Sequence, residues 1–522
     1  MGTSGSKINL QTIGIAGAGT MGSGIALSAL LAGLRVILYD VDDTLLTRAQ
    51  AYVEKHLQRK QRAISIKYLS LSSDLAGFRS AGVVIEAIPE DLSLKQNLFR
   101  ELEEICPVPA ILATNTSTLS VTAIAAAIST PERVAGMHFF NPAPVLPLVE
   151  VVRGARSSPA AIQALVGLAI KMGKTPVLAS DTPGFIVNRV ARPFYGEALR
   201  LLGEGTADHT QIDSLLREAG GFKMGPFELM DLIGIDINFA ATQSMYEQTF
   251  LEPRYRPHII QARMVQEQAL GRKSGRGFYT YDPPAPKIKN SLEKPSPQLS
   301  EGTVLLSSGS WTPGLEELCL KAGFDILPIP AQDVPARAVA GVAAAGRYED
   351  LDHAILELDK LLEPGLPLFV QCADITLAEA AYHSRHPERL VGFDGLFFSN
   401  GSAATLVAAP DITSPVRQAA LSFLRSLGKS GVWIQDSPGL VLPRVICMLA
   451  NEAAFALGEG VADSDTIDLA MQLGTNYPKG PLEWAAQLGY RRVVSVLEHL
   501  HAEYGEERYR IAPLLKRWAR LE

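Results

Sequence analysis

A glycine-rich turn between a predicted strand and a predicted helix restricts the fold of this chain more than any other segment. The apolar run Thr12–Ala16 leads directly into the turn, and a helical pattern of apolar residues then continues to Gly33. The turn itself consists of Gly17, Ala18, Gly19, Thr20, Met21 and Gly22. Glycines in this pattern let a pyrophosphate approach the N-terminus of a helix, where free N–H groups favour anions. The pattern therefore predicts a dinucleotide-binding unit, with a turn that serves packing alone as the alternative.

The residue after the second predicted strand indicates which dinucleotide is bound. The strand Arg35–Tyr39 ends directly before Asp40, which lies 18 residues after Gly22. A carboxylate at this position accepts hydrogen bonds from the hydroxyls of an adenosine ribose. Asp40 is followed by valine and two aspartates, so no arginine is at hand to bind a 2′-phosphate. We therefore expect NAD rather than NADP as the coenzyme.

Size and composition exclude several other classes of protein. A chain of 522 residues is long for one domain, and a net charge of −7 gives no case for nucleic-acid binding. The four cysteines lie far apart without a C-x-x-C pair, which favours reduced thiols over disulfides or a metal site. The most apolar helical pattern, residues 25–34, is too short to cross a bilayer. We expect a soluble, cytoplasmic protein without a metal, a membrane segment or a secretory signal.

The first 180 residues alternate between strand and helix patterns. Predicted strands at 83–87 and 110–114 are separated by a predicted helix at 94–104, and the alternation continues to His138. Such alternation is typical of an α/β fold with a doubly wound, Rossmann-like sheet. The strand at 110–114 runs out into Asn115 and Ser117, at the sheet edge where such folds bind ligands. A helix cap at Ser117 is the alternative interpretation.

One histidine and one glutamate flank a proline-rich segment between residues 131 and 152. His138 ends one apolar run, Glu150 lies inside the next, and the three prolines between them favour a chain reversal that lets the two side chains meet. A buried carboxylate needs a partner. A histidine that binds it through one ring nitrogen has a fixed tautomer, and the other nitrogen is then available to take a proton. The segment predicts a catalytic base pair, with a core histidine and a solvated glutamate as the alternative.

A helical pattern follows the sheet domain. It begins at residue 181, includes a long predicted helix at 227–250, and indicates a small all-α domain whose first helix turns Asn188 toward the sheet. Residues 436–489 align with 181–234 at a constant offset of 255, with 19 of the 54 positions identical. The chain therefore contains a second copy of the helical domain.

The region before this second helical domain carries a fainter copy of the sheet domain. Pro387–Arg389 repeats Pro131–Arg133, but Asp394 falls at the position of His138, Ala409 at that of Glu150 and Pro443 at that of Asn188. We therefore expect the second sheet to be non-catalytic. The predicted organisation is a dinucleotide-binding domain at 1–180, a helical domain at 181–281, a solvated linker at 282–300, a degenerate sheet domain at 301–435 and a second helical domain at 436–522.

Six motifs together carry a resemblance to a known family. The chain resembles the 3-hydroxyacyl-CoA dehydrogenases from about residue 8 to residue 282, in the motifs GIAGAGTMGSGIA, VIEAIPEDLSLKQNLF, NTSTLS, HFFNPAPVLPLVEVV, DTPGFIVNRV and GRKSGRGFYTYD. The resemblance implies that His138 and Glu150 are the catalytic pair and that Ser117 and Asn188 bind the reacting part of the substrate. It also implies an NAD site lined by Asp40, Glu90, Lys95, Asn115, Asn141 and Lys273.

The resemblance also implies a reaction and leaves its substrate open. The expected activity is NAD-dependent oxidation of an (S)-3-hydroxyacyl-CoA thioester in fatty-acid or phenylacetate catabolism, with 3-hydroxyadipyl-CoA and 3-hydroxybutyryl-CoA as the two candidates. A dehydrogenase of a free hydroxy acid such as L-gulonate, and a non-enzymatic relative of the crystallin kind, are the alternatives. Because members of this family dimerise through the helical domain, we expect either a homodimer or pairing of the two helical domains within one chain.

Overall fold

The first half of the chain forms an eight-stranded sheet in the computed structural model, which describes residues 8–60, 63–281, 292, 295, 300–307, 312, 314–331, 337–344 and 348–522. The strands are β1 (Thr12–Ala16), β2 (Arg35–Tyr39), β3 (Leu69–Ser72), β4 (Val83–Glu86), β5 (Ile111–Thr114), β6 (Val134–Phe139), β7 (Leu148–Arg153) and β8 (Thr175–Ser180). They lie in the order β3-β2-β1-β4-β5-β6-β7-β8. All neighbouring pairs are parallel except β6 and β7.

Helices cover both faces of this sheet, as its apolar strands require. β4 and β5 are buried along their whole length, which is typical of parallel strands covered on both sides. The helices of this part of the chain are α1 (Thr20–Leu31), α2 (Asp43–Arg59), α3 (Leu92–Ile105), α4 (Val121–Ala125), α5 (Pro159–Lys171) and α6 (Val187–Val190). The predicted α/β, doubly wound architecture is confirmed.

Five helices follow the first sheet: α7 (Arg192–Gly203), α8 (His209–Glu218), α9 (Pro226–Ile233), α10 (Ile235–Gln248) and α11 (Ile259–Gln266). The single long helix predicted at 227–250 is wrong, because Gly234 has a φ of 104° and separates α9 from α10. A residue with a side chain avoids this backbone conformation, whereas glycine adopts it readily. Gly489 repeats the break in the second copy with a φ of 91°.

The second half repeats this plan. Its strands are β9 (Thr303–Ser307), β10 (Asp325–Ile329), β11 (Ala338–Ala343), β12 (Leu368–Gln371), β13 (Leu390–Phe393), β14 (Ala403–Ala408) and β15 (Ser430–Ile434), in the order β10-β9-β11-β12-β13-β14-β15. Its helices are α12 (Leu315–Lys321), α13 (Tyr348–Leu361), α14 (Leu377–Ala381), α15 (Ser414–Ser426), α16 (Leu442–Gly458), α17 (Ser464–Thr475), α18 (Pro481–Leu488), α19 (Tyr490–Tyr504) and α20 (Pro513–Leu521). The predicted linker lies outside the described residues, apart from residues 292, 295 and 300.

Strand register corrects one pairing between the copies. β13 and β14 are antiparallel like β6 and β7, and Gly392 pairs with Val407 as Gly136 pairs with Val152. In this register Asp394 does occupy the position of His138. The counterpart of Glu150, however, is Thr405. The pairing of Glu150 with Ala409 that the sequence suggested is wrong by four residues, because sequence comparison did not align the loop between the two strands correctly.

The chain divides into two compact units, and each combines two stretches of sequence. The first unit contains residues 1–190 and 456–476, and the second contains residues 191–455 and 477–522. In the first unit, the N–H of Ser180 donates to the carbonyl of Val461 at 2.9 Å. In the second, the N–H of Gln435 donates to the carbonyl of Thr206 at 2.8 Å, and both residues of this pair are offset by 255 from the first pair. Each sheet therefore packs against a helical segment that belongs, by sequence, to the other copy.

Candidate active site

His138 and Glu150 face each other across the two antiparallel strands of the first sheet. β6 and β7 pair in a register that sets His138 directly opposite Glu150. His138 Nδ1 lies 2.7 Å from Glu150 Oε2, and the two side chains are 7% and 0% exposed. Strand pairing thus brings together the two residues that the sequence placed twelve positions apart.

The carboxylate of Glu150 is also held by backbone groups. Its Oε1 accepts hydrogen bonds from the backbone N–H groups of Ile186 and Val187, at 3.0 and 2.9 Å. These two groups lie where the chain turns into α6, so their N–H bonds are not used within a helix. Both oxygens of Glu150 therefore have partners, as a buried carboxylate requires. The glutamate holds one ring nitrogen of His138, and Nε2 is left for other chemistry.

The two residues predicted to bind the reacting part of the substrate are neighbours. Asn188 on α6 donates from Nδ2 to the backbone carbonyl of Ser117 at 3.2 Å. Both are half-buried and both lie in the same unit as His138 and Glu150. Ser117 follows β5, and Asn188 lies on α6 after β8, so the contact joins two segments that are far apart in the sequence.

Glu90 organises the loop that carries Ser117. Its Oε1 accepts from the backbone N–H groups of Ser117 and Thr118 at 2.9 and 3.0 Å, and from the hydroxyl of Thr116 at 2.6 Å. Burial by itself would raise the pKa of Glu90, but the charge of Lys95 and these hydrogen bonds outweigh it and lower the pKa to about 2. Glu90 is therefore ionised at neutral pH and holds the loop in place.

Lys95 joins this arrangement from α3 through an ion pair that the sequence analysis missed. Its ammonium lies 2.5 Å from Glu86 Oε1 and 3.2 Å from Glu90 Oε2, and the Lys95 and Glu86 side chains are 1% and 0% exposed. Burial raises the pKa of Glu86, although Lys95 and Thr114 partly offset this effect. A glutamate at the end of the apolar run VVIE was the available signal, since it needs a partner as Glu150 does.

The glycine-rich turn has the shape that a pyrophosphate requires. A Cβ at Gly22 would meet the carbonyl oxygen of Gly17 at 1.8 Å, and one at Gly17 would meet that of Ala87 at 2.5 Å, so both close approaches depend on glycine. Nothing lies within 4 Å of the corresponding point at Gly19, which precedes α1. Open space and free N–H groups at the start of a helix are suited to an anion.

Asp40 lies beside the same turn. Its Oδ2 accepts from the N–H of Ala18 at 2.7 Å, and its Oδ1 accepts from the N–H of Asp42 at 3.1 Å. The carboxylate is thereby fixed at the carboxyl end of β2, as binding of an adenosine ribose requires. The residues present fit an adenine dinucleotide.

The other predicted NAD contacts differ in how the structure places them. Asn115 Oδ1 accepts from the N–H of Phe139 at 2.8 Å, and Phe139 directly follows His138. Asn141, two residues after Phe139, is exposed. Lys273 belongs to the second unit, where its ammonium lies 2.6 Å from Asp236 and its side chain is 43% exposed. Two of these three residues therefore lie in the unit of the glycine-rich turn.

Among the described residues, no helix combines the length and the apolar character needed to cross a membrane.

Comparison with known proteins identifies the family. Residues 12–182 match the 3-hydroxyacyl-CoA dehydrogenase NAD binding domain, and residues 184–281 and 439–522 each match the C-terminal domain of the same family. The chain is 39% identical over 524 residues to 3-hydroxyadipyl-CoA dehydrogenase of Escherichia coli strain K12, covering 99% of this chain and 98% of that one.

Two further relatives show how much of the chain is shared. A probable 3-hydroxybutyryl-CoA dehydrogenase of Bacillus subtilis is 40% identical over 284 residues, which are 99% of its length and 53% of this chain. The crystal structure of 3-hydroxybutyryl-CoA dehydrogenase from Escherichia coli K12 has a TM-score of 0.80 and 37% identity, covering 98% of this chain and 99% of that one. The chain belongs to the 3-hydroxyacyl-CoA dehydrogenase family and is an NAD-dependent enzyme of that family.

Proposed function

We propose that His138 is the general base that removes the hydroxyl proton of an (S)-3-hydroxyacyl-CoA, and that Glu150 supports it. The observation that carries this proposal is the buried 2.7 Å contact between His138 Nδ1 and Glu150 Oε2. With Nδ1–H donated to the carboxylate, Nε2 is the nitrogen that accepts the substrate proton. The imidazolium that forms is then stabilised by a neighbouring negative charge.

The reaction balances with these groups and the coenzyme. The C3–H bond of the substrate breaks as hydride leaves for NAD, which supplies the redox chemistry, and the O3–H proton passes to His138 Nε2. The product is a 3-oxoacyl-CoA. An alcohol has a pKa far above neutrality, so a positioned base is necessary for this proton transfer.

Ser117 and Asn188 are proposed to orient the oxygen atoms of the substrate. Both carry hydrogen-bond donors, and the Nδ2 contact of Asn188 with the Ser117 carbonyl sets them side by side. Donors directed at an oxygen that gains negative charge stabilise the transition state. Glu90 supports this role indirectly, because it fixes the backbone of the Ser117 loop.

NAD is proposed to bind along the carboxyl edge of the sheet. The glycine-rich turn with Gly17, Gly19, Thr20, Met21 and Gly22 would hold the pyrophosphate, and Asp40 the adenosine ribose. Lys95, Glu90, Asn115 and Asn141 lie in the same unit as these residues, and Lys273 is added to the proposed set from the family pattern.

Replacement of His138 by glutamine tests the base assignment. We expect kcat to fall by about 10²- to 10⁴-fold, the usual contribution of a general base, while the Kd for NAD is unchanged. His56→Gln, at a histidine that contacts the Tyr52 carbonyl on α2, is the matched control and should retain full activity. If the His138 variant keeps more than a tenth of wild-type kcat, the assignment is wrong.

For the acyl group we propose 3-hydroxyadipyl-CoA, on the basis of the full-length relative that carries this name. The structural relative named for 3-hydroxybutyryl-CoA also matches over its full length, so the two substrates must be compared directly. A third substrate, 3-hydroxyhexanoyl-CoA, has the adipyl chain length without the terminal carboxylate. We expect kcat/KM for the adipyl thioester to exceed that for the hexanoyl thioester at least about tenfold, because a charge-assisted hydrogen bond contributes about 1.5–3 kcal/mol.

Formation of reduced nicotinamide, followed by absorbance, measures all three rates. Equal rates for the two six-carbon thioesters would refute recognition of a terminal carboxylate, and a preference for the four-carbon thioester would favour the alternative substrate. The free hydroxy acids that correspond to these three thioesters should show negligible turnover.

A further inference from the structure

One histidine and two glutamates of the second half converge outside the proposed active site. Glu379 lies on α14, and His499 and Glu503 lie on α19. One side-chain oxygen or nitrogen of each residue lies within 4.8 Å of the other two. All three residues belong to the second compact unit.

His499 has a buried nitrogen without a hydrogen-bond partner. Its side chain is 10% exposed, and Nε2 is shielded from solvent and makes no hydrogen bond. Glu379 Oε2 lies 3.9 Å from this nitrogen, which is too long for a hydrogen bond. Buried polar atoms in folded proteins almost always have partners, so this nitrogen is available to a ligand that the protein does not supply.

The surrounding contacts point these side chains at one another. His499 and Glu503 are four residues apart and share one face of α19. Ser495, one turn earlier on that face, donates from its hydroxyl to Asp374 Oδ2 at 2.6 Å, so the face is directed at the loop before α14. Thr376 fixes the Glu379 carboxylate, because Glu379 Oε2 accepts from the backbone N–H and the hydroxyl of Thr376, each at 2.7 Å.

The local charge favours a cation. Within the part of the chain that the structure describes, no lysine or arginine forms an ion pair with Glu379 or Glu503. Two carboxylates and an imidazole nitrogen thus lie close together, and among the described residues no lysine or arginine is within ion-pair distance of either carboxylate. The hydrogen bonds from Thr376 orient one carboxylate, much as outer hydrogen bonds orient the ligands of metal ions.

The cluster is absent from the catalytic copy. Asp181 accepts from the backbone N–H groups of Val121 and Thr122, and Asp436 accepts in the same way from those of Leu377 and Ala378, which equates Glu379 with Ala123. α10 and α19 both begin directly after the equivalent glycines Gly234 and Gly489, so His499 and Glu503 correspond to Ser244 and Gln248. The copy that lost His138 and Glu150 is the one that carries these three groups.

We propose that Glu379, His499 and Glu503 bind a divalent transition-metal ion of the Zn²⁺ type, which ties α14 to α19. Imidazole and carboxylate ligands suit such ions, with bonds of about 2.0–2.2 Å and a fourth position for water. Ligand atoms around a tetrahedral ion lie about 3.4 Å apart at these bond lengths. The exposed side chain of Glu503 has the freedom to close the remaining gap. This proposal departs from the sequence-based expectation of no metal, which rests on the spacing of the cysteines alone.

Metal titration of the full-length enzyme tests this proposal. After treatment with a chelator and its removal, we expect one Zn²⁺ or Co²⁺ per chain by calorimetry, a visible Co²⁺ spectrum typical of tetrahedral coordination, and a higher unfolding temperature with the ion. His499→Ala should weaken binding by more than the 10- to 100-fold that loss of an outer hydrogen-bond partner costs. Glu379→Gln should also weaken it and keeps an acceptor for Thr376, so the start of α14 stays capped.

His501→Ala is the matched control, because His501 is exposed on the same helix and its Nδ1 faces the carbonyl of Glu506. It should bind the ion as the wild type does. Circular dichroism shows whether each variant is folded, and Glu379→Gln decides the outcome if His499→Ala is not. Absence of binding, binding that survives in a folded Glu379→Gln variant, or equal loss in His501→Ala would each overturn the proposal.

Discussion

Full burial marks two of the glutamates that organise the proposed active site. Glu86 and Glu150 both stand in apolar strands and are both fully buried, one beside Lys95 and the other beside His138. Glu150 was predictable because a histidine lay across a proline-rich reversal. Glu86 was not recognised, since its partner comes from the next helix and carries no local pattern that marks it.

The backbone beside the pair is strained in both copies. Phe185, directly before the N–H groups that bind Glu150, has a φ of 47°, and its counterpart Leu440 has a φ of 51°. Positive φ is costly for both residues. Because the copy without His138 and Glu150 keeps this conformation, the strain belongs to the fold of this turn and not to the catalytic chemistry.

At the residue scale, Glu150→Gln should damage the base without damaging its surroundings. An amide has one oxygen to offer, and the N–H groups of Ile186 and Val187 will take it, which turns the NH₂ toward His138 Nδ1. Nδ1 must then accept, so the ring proton moves to Nε2 and blocks the nitrogen that acts as base. We expect kcat to fall about 10³- to 10⁴-fold with the Kd for NAD unchanged.

Steady-state kinetics and NAD titration measure this effect. Glu103→Gln provides the control, because Glu103 accepts hydrogen bonds from Ser129 and Thr130 in the same unit without contact to the pair. Its kcat should equal that of the wild type. A Glu150 variant that retains a tenth of wild-type activity would show that the carboxylate does not fix the tautomer.

At the element scale, the order of strands and helices was largely predictable, and their partners were not. Alternating patterns predicted β1, β2, β4 and β5 closely, because apolar runs bounded by glycine and polar residues are local signals. The break between α9 and α10 depends on the φ of one glycine, and glycine occurs inside helices as well. The sequence does not show that α17 packs in the first unit. α8 and α17 are copies of the same segment, so their local patterns do not tell which of them packs against which sheet.

Helix α17 from the second copy supports the elements that hold Glu150. A Cβ at Gly474 would lie 2.8 Å from Leu148 Cδ2 and 3.0 Å from Val187 Cγ2, and the N–H of Val187 binds Glu150. Gly474→Leu should displace Val187 and lower kcat at least about tenfold, because small misplacements of catalytic groups are costly. NAD binding should be retained, since the glycine-rich turn is not touched.

Gly167→Leu on α5 is the control for Gly474→Leu, because nothing lies within 4 Å of the added Cβ at that position. Both variants introduce leucine into a helix, so differences between them report the contact with Val187. Parallel measurements of kcat, NAD affinity and unfolding temperature separate an effect on the pair from a general loss of stability. Equal kcat in the two variants would mean that α17 does not position Glu150.

At the scale of the whole molecule, the two copies make equivalent contacts with each other within one chain. In the second unit, Glu197 accepts from Arg508 and Tyr509, and its counterpart Glu452 accepts from Arg254 and Tyr255. In each cluster the glutamate comes from one copy, and the arginine and tyrosine come from the other. The sequence identified the repeat, but it could not show that each copy binds the other, because identical residues serve equally well within a copy or between two chains.

Glu197 is the centre of the larger of these two clusters. It is fully buried, and Arg444 adds a third contact at 2.9 Å. Burial would raise the pKa of Glu197, but the charges of Arg508, Arg444 and Arg200 outweigh it and lower the pKa to about 2. Because the folded-state pKa lies below the usual value near 4.5, the ionised group stabilises the fold fully above about pH 4.5. This stabilisation is lost progressively as pH falls toward 2.

Glu197→Gln should therefore lower the free energy of unfolding at pH 7 by about 3–5 kcal/mol, because buried arginines lose their counter-charge. It should also flatten the decline of stability between pH 4.5 and pH 2, since the titrating group is gone. Glu317→Gln is the control: this exposed glutamate pairs with Lys321 one turn away, and its loss should leave the denaturation midpoint unchanged. Denaturant unfolding at several pH values measures both effects, and an acid limb as steep in Glu197→Gln as in the wild type would show that Glu197 does not couple the two copies electrostatically.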